Sequence, residues 1–452
     1  SGNQLGWLKN LGILKNESNG KVRLDVNNNG CDNNDISLSN LIVTTTNGTE
    51  SLSTISLNNG FYQLFPDEGN FITTITSPLP NYFNVSPNSN NSAFVGYGST
   101  DTDNFCLQAS SNVNDLSVSF YPIFEDPRPG SNITYQLIYR NNGSTQQTGT
   151  IELGFDGNKI SFVNANASVV QNSNNILSFN YSNLNPFEIR VINVTFYVNP
   201  FLVNLGDILS FTATAYPLIG DITVEDNVFV LDDIVVNSYD PNDIRVLEGD
   251  EVNINNYDKY LHYIIRFQNT GTANAIDVNI ENILDTDLDW TTLQIETFSH
   301  DARVEITNGN QVKYIFDDIN LPDSTNDEPN SHGYITYKIK PINSVQVGDI
   351  INNKADIFFD YNQAIITNTV STEFVNLLST LDFDLNTTLI FPNPTFGQVN
   401  IVSKSLVNKI KLIDIQGREL KEFQFDNPKL NTKIDLSFLT SGVYFLNIKN
   451  NE

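Results

Sequence analysis

Short runs of valine, isoleucine, phenylalanine, tyrosine and threonine recur along this chain, separated by clusters rich in asparagine, aspartate, serine and glycine. Asn27-Asn28-Asn29 and Asn88-Ser89-Asn90-Asn91 are two such clusters. Asn, Asp and Ser side chains hydrogen-bond nearby backbone, which favours turns and disfavours helix interiors. Branched and aromatic residues suit the pleated, half-buried surface of a sheet. No stretch reads as an amphipathic helix. The chain is therefore expected to be all-β, and its 452 residues are too many for one small sandwich but right for about three or four.

Charge narrows the function classes. There are 24 basic against 52 acidic residues, a formal net charge of -28. That argues against binding nucleic acid or anionic lipid by bulk charge, and it suits an extracellular surface and divalent cations. No apolar run approaches the ~18 residues that a membrane-spanning helix needs. The chain begins at Ser1 with no initiator methionine, which reads as a processed or excised piece whose precursor carried a signal peptide.

The last part of the chain is the most distinctive. Leu389-Ile390-Phe391-Pro392-Asn393-Pro394 leads to Gly397 and an alternating Val399, Ile401. Ile410-Lys411-Leu412-Ile413-Asp414-Ile415-Gln416-Gly417-Arg418 follows, and then Ser441-Gly442-Val443-Tyr444-Phe445-Leu446-Asn447-Ile448. The apolar period of two marks short strands. Asp414 to Gly417 reads as a hairpin turn, with Gly417 free to take positive φ. These motifs, in this order, resemble the type A C-terminal sorting domain of the type IX secretion system of Bacteroidota. Members of that family usually continue into a further apolar strand, whereas this sequence stops at Asn450-Asn451-Glu452.

The resemblance implies an exported protein, shown at the cell surface or released. It implies as partners the type IX translocon, an outer-membrane shuttle barrel and a sortase-like attachment complex. Anionic lipopolysaccharide would be the acceptor after cleavage. The sorting-signal residues it points to are Pro392, Asn393, Pro394, Gly397, Asp414, Gly417, Arg418, Gly442 and Tyr444. Cleavage is expected in the exposed linker 377–388.

Upstream, residues 1–20 carry leucine-repeat-like spacing, Leu5, Leu8, Leu11 and Leu14, and are taken as the end of upstream repeats or a short tail. Residues 21–109 resemble the prealbumin-like SdrD B or Cna-B domains of surface proteins. Residues 110–236 and 237–376 read as two copies of one Ig-like design. Tyr135 to Gly143 echoes Tyr263 to Gly271, and Gly206-Asp207-Ile208-Leu209 echoes Gly348-Asp349-Ile350-Ile351. With residues 389–452 this makes a tandem array of four antiparallel β-sandwich domains. Stacked end to end, they would reach on the order of 100–150 Å.

Several residues carry candidate chemistry. Asp25, Asn27 and Asn29 place oxygen side chains at alternate positions before Gly30, the spacing of a Ca²⁺ loop. The twelfth position is Ile36 rather than a bidentate Glu, so Asp32 and Asp35 would have to substitute; the alternative is an Asn/Asp-rich turn held by local hydrogen bonds. Cys31 and Cys106 are the only cysteines, and a bridge between them would stabilise by ~4 kcal/mol in the chain-entropy model. Two unpaired thiols are the alternative. Asp323-Ser324-Thr325 is similar to a Bacteroidota O-glycosylation acceptor, which would place the glycan on Ser324, against a plain solvated loop. Asp240, Asn242 and Asp243 open the third segment, and Asp360, Asn362 and Asn368 lie near its end, where the two ends could meet. His262, His300 and His332 have no zinc spacing, and no nucleophile elbow or phosphate-cradling loop is present.

The reading is a non-enzymatic exported protein, an adhesive or structural stalk with a possible surface or glycan ligand. The alternative is the accessory and sorting region of a secreted peptidase or glycoside hydrolase whose catalytic domain lies upstream.

Overall fold

The computed structural model describes residues 14–27, 29–173, 175–237, 240–376, 388–395, 397–440 and 442–450. All but Leu14 of the leucine-repeat-like pattern, and linker residues 377–387, lie outside these. The described residues are strands joined by turns, with two short 3₁₀ turns at Ile254–Asn256 and Glu328–Asn330. The chain divides into two compact units, Ser1–Asn376 and Leu377–Glu452.

In the first unit, the middle segment is a sandwich of a four-stranded and a five-stranded sheet. Its central strands, Asn132–Asn141 and Gln147–Phe155, pair with antiparallel neighbours on both sides. The core between the sheets holds Phe120, Tyr135, Leu153, Phe179, Phe196 and Phe211. The third segment repeats the plan around Tyr263, Phe267, Tyr314, Phe316 and Tyr337.

The echoes between these segments mark equivalent turns. Asn141 donates from Nδ2 to Thr145 O (2.7 Å) and Leu184 O (2.9 Å), and accepts from Gly143 N–H (3.0 Å). Asn269 donates to Ala273 O (2.9 Å) and Leu321 O (3.0 Å), and accepts from Gly271 N–H (3.0 Å). Each buried amide thus staples a strand end to two other backbone segments. The second echo is as close. The N–H of Asn204 donates to Asp207 Oδ2 (2.8 Å), and that of Gln346 to Asp349 Oδ2 (2.8 Å). Gly206 and Gly348 stand at φ +85° and +93°, where a side chain would be strained.

The three leading segments fold into one compact unit. Strand Ser51–Ile55 of the first segment pairs antiparallel with Arg303–Thr307 of the third, so one nine-stranded sheet runs through both. Ile42 and Ile55 enter the third segment's core. Asn40 reinforces the seam by exchanging two hydrogen bonds with the backbone of Ile295. Phe187 of the middle segment packs into the first segment's core. Middle and third segments share a cluster of Tyr121, Ile123, Ile138, Ile264 and Tyr334. Each strand pattern read locally was compatible with an isolated sandwich; an unpaired edge strand is a liability that this seam removes.

Candidate functional site

The second unit is built on strand Gln398–Asp414. It pairs antiparallel with Thr388–Phe391, Glu419–Asp435 and Tyr444–Asn450. Its ladder is irregular between Val402 and Val407. The first half therefore faces Thr388–Phe391 and the second half Tyr444–Asn450. Val399, Ile401, Val407, Ile410, Leu412, Ile434 and Leu436 form a separate core, with Tyr444, Leu446 and Ile448 packed against it. The alternation read in the sequence is thus the inward face of these strands.

The motif residues sit mainly at the turns. Pro392, Asn393 and Pro394 are exposed, and Phe391-Pro392 and Asn393-Pro394 are cis. Thr395 Oγ1 closes the turn by donating to Gln398 O (2.9 Å). Gly397 has φ +153°, and a Cβ there would stand 3.1 Å from that of Ser437, so close approach to the neighbouring strand requires glycine. In the hairpin, Asp414 accepts from the N–H groups of Gln416 (2.9 Å) and Arg418 (3.0 Å) and from Arg418 Nε (2.8 Å). Those hydrogen bonds, the Arg418 backbone foremost, hold the Asp414 carboxyl below its ordinary range. Gly417 takes φ +81°. The Tyr444 hydroxyl donates to Thr440 O (2.9 Å), drawing the turn that contains Gly442 onto the last strand. The two turns, with an Arg418 side chain 70% exposed, present polar and rigid groups to solvent.

In the first unit, the Asp25–Asp35 loop is closed by its own carboxylates. Asp25 accepts from the N–H groups of Asn27 (3.2 Å), Asn29 (3.3 Å) and Gly30 (2.9 Å), and Asp35 from Asp32 N–H (2.7 Å). Cys31 and Cys106 are joined, with Cα atoms 5.6 Å apart. Ser324 is half-buried, and its N–H donates to Asn269 O (2.8 Å). The ends of the third segment meet through Asn368, which exchanges hydrogen bonds with the backbone of Ile244 (both 3.0 Å). His262 contacts Glu248 (2.6 Å), His300 contacts Ser299 (2.8 Å), and His332 contacts Gln268 and Glu328 (both 3.1 Å). A cleft of ≈ 960 Å³, lined by Asn40, Ser56, Phe187, Glu296, His300 and Arg303 among others, lies where the three segments meet.

Two groups escaped the sequence reading because their members are far apart in the chain. Arg266, whose side chain is 2% exposed, pairs with Asp243 and Asp126, and Arg245 pairs with Asp126 and Asp233. Asp115, Asp221 and Asp226 converge elsewhere. Burial, then the charge of Asp221, raises the Asp115 carboxyl to about 6. Only the acidic run from Asp221 to Asp226 could have hinted at the second group.

Comparison with known proteins gives two family matches. Residues 240–373 match a "Domain of unknown function (DUF7619)", and residues 389–452 match the "Secretion system C-terminal sorting domain". No curated protein matches the chain. Among solved structures, the chain is similar to the major pilin subunit of Bacillus cereus, with 8% identity over 93% of this chain and 95% of that one, at a TM-score of 0.22. It is also similar to the collagen adhesin of S. aureus, with 14% identity over 59% and 93%, at a TM-score of 0.21. At such TM-scores these likenesses carry no inference about ligands. No described helix is long and apolar enough to cross a membrane. Residues 389–452 are a type A C-terminal sorting domain of the type IX secretion system, and the chain that carries it is exported to the cell surface or secreted.

Proposed function

We propose that the unit of residues 1–376 is a structural or adhesive body, and that residues 389–452 are the signal by which the translocon and its shuttle barrel take it across the outer membrane. The observation that supports this most is that the sorting domain has its own sheet and its own core. It can therefore present a fixed surface to a receptor whatever cargo precedes it. The exposed Pro392–Pro394 turn and the Asp414–Arg418 hairpin are the surface proposed to dock. Attachment then proceeds by cleavage within residues 377–388 and transfer to anionic lipopolysaccharide. The cleft between the three segments of the body is the place proposed for a surface or glycan ligand.

The test is transplantation. Residues 377–452 are fused behind a periplasmic fluorescent reporter in a type IX-competent bacterium and in a matched strain lacking the translocon. Translocon-dependent appearance at the surface or in the medium is the expected result. Retention in the periplasm of both strains would overturn the assignment of the signal to this segment. A glycan array probed with residues 1–376 tests the ligand, and no bound glycan would remove that part.

A further inference from the structure

Asp115 stands just before strand Leu116–Pro122, while Asp221 and Asp226 lie in the connection between strands Ile208–Tyr216 and Val228–Ile234. One carboxylate oxygen from each comes within 4.8 Å of the others. Local backbone fixes the arrangement. Leu116 N–H donates to Asp221 Oδ2 (2.8 Å), Thr223 N–H to Asp221 Oδ1 (2.9 Å), and Val118 N–H to Asp226 O (2.9 Å).

Both oxygens of Asp221 are hydrogen-bonded, but Asp115 and Asp226 each keep one buried oxygen without a partner. Asp115 is 7% exposed, and its Oδ1 has no hydrogen-bond partner; Oδ1 of Asp226 is likewise buried and unpartnered. Asn227, fully buried, donates to Asp221 Oδ2 (3.2 Å), and its own Oδ1 is a third unpartnered oxygen. No ion pair among the described residues includes any of the three aspartates. The charges of Arg140 and Lys338 act on Asp115 and Asp226 from beyond ion-pair contact, while Arg140 donates to Gln294 Oε1 (3.1 Å) and Lys338 pairs with Glu296 (2.9 Å). Buried charges of one sign without a direct ion-pair partner are costly.

We infer that Asp115, Asp221 and Asp226 form a divalent-cation site of the calcium class. An all-oxygen donor set selects a hard cation. Calcium takes its ligands at about 2.3–2.6 Å, so oxygens on opposite sides of one ion stand up to about 5 Å apart, which a set within 4.8 Å satisfies. The site also has a structural reach. The hydroxyl of Tyr82, from the first segment, donates to Asp115 Oδ2 (3.2 Å) and to Asn142 O (3.1 Å). A cation there ties the Asp221–Asp226 connection to the start of the middle sandwich, next to its junction with the first segment.

The experiment uses the full chain, stripped with chelator and equilibrated with calcium chloride near 1 mM, the scale of extracellular modules. Bound calcium per chain is measured for the wild type, Asp226→Asn, Asp115→Asn and the loop control Asp25→Asn. The expected result is one fewer calcium per chain in each of the first two variants than in the wild type, with that equivalent kept in Asp25→Asn. No bound calcium, or the same number in wild type, Asp115→Asn and Asp226→Asn, would overturn the inference. Because these variants could fail to fold, terbium luminescence supplies a second reading. Excitation of tyrosine is expected to give emission that calcium displaces and that falls in Tyr82→Phe, which leaves all three carboxylates in place. Emission undiminished in Tyr82→Phe, or indifferent to calcium, refutes the site.

Discussion

Replacing Arg266 with methionine tests whether the buried ion network holds the middle and third segments together. The Arg266 side chain is 2% exposed and bridges Asp243, on its own sheet, to Asp126, from the middle segment. Methionine fills much of the same volume but leaves Asp243 without its bidentate partner, while Asp126 keeps Arg245 at 2.6 Å. Removing one member of a buried pair costs about 3–5 kcal/mol, because the remaining charge is uncompensated. Urea unfolding at pH 7, followed by the fluorescence of Trp290, which packs on the third segment's core, reads that loss directly. Adding Asp243→Leu to Arg266→Met should recover at least half of it. The pH dependence supplies a second reading. Burial alone would raise the Asp126 carboxyl, but the Arg266 and Arg245 guanidiniums outweigh it and hold the group below its ordinary value. A folded value below the unfolded one contributes stability that is complete above about pH 4 and disappears as pH falls through the folded value. The gap between wild type and variant should therefore narrow in acid. A single-variant loss under about 1 kcal/mol, the scale of an exposed pair, would refute the reasoning.

Asn141→Ala and Asn269→Ala each strand two backbone carbonyls, and each should cost about 1–3 kcal/mol in urea unfolding; a loss from one alone would show that the two turns are not equivalent. Cys31→Ser with Cys106→Ser should cost about 4 kcal/mol in the chain-entropy model for a loop of this length, read as a lower unfolding midpoint. Gly397→Ala meets Ser437 in a backbone region that side chains rarely adopt, so isolated 389–452 should melt at a lower temperature than its parent. A tolerant Gly397→Ala would mean that the turn relaxes.

Much of the fold was legible because it is written locally. Alternation at Val399, Ile401, Ile410 and Leu412 marks the inward face of one strand, and Asn-x-Gly at 141–143 and 269–271 marks one turn used twice. The chain's punctuation was enough to exclude helices. Long-range pairing was not legible. Nothing in Ser51–Ile55 says that its free edge meets Arg303–Thr307, since backbone hydrogen bonds do not depend on side-chain identity. Buried charge was not legible for a related reason. Arg266 and Asp126 look like ordinary surface residues until the sheets pack and remove their water. The Asp25–Asp35 loop was visible as a cluster, and in the structure Asp25 and Asp35 accept hydrogen bonds from backbone N–H groups within it.

The seam between Ser51–Ile55 and Arg303–Thr307 bears on how such a protein can change over generations. Domains that fold alone can be duplicated, deleted or traded between genes at their borders. Here, loss of residues 21–109 would uncover a strand edge on a segment far downstream and empty part of its core. The first and third segments therefore depend on each other structurally, and the stretch between them has to return the chain to the same place.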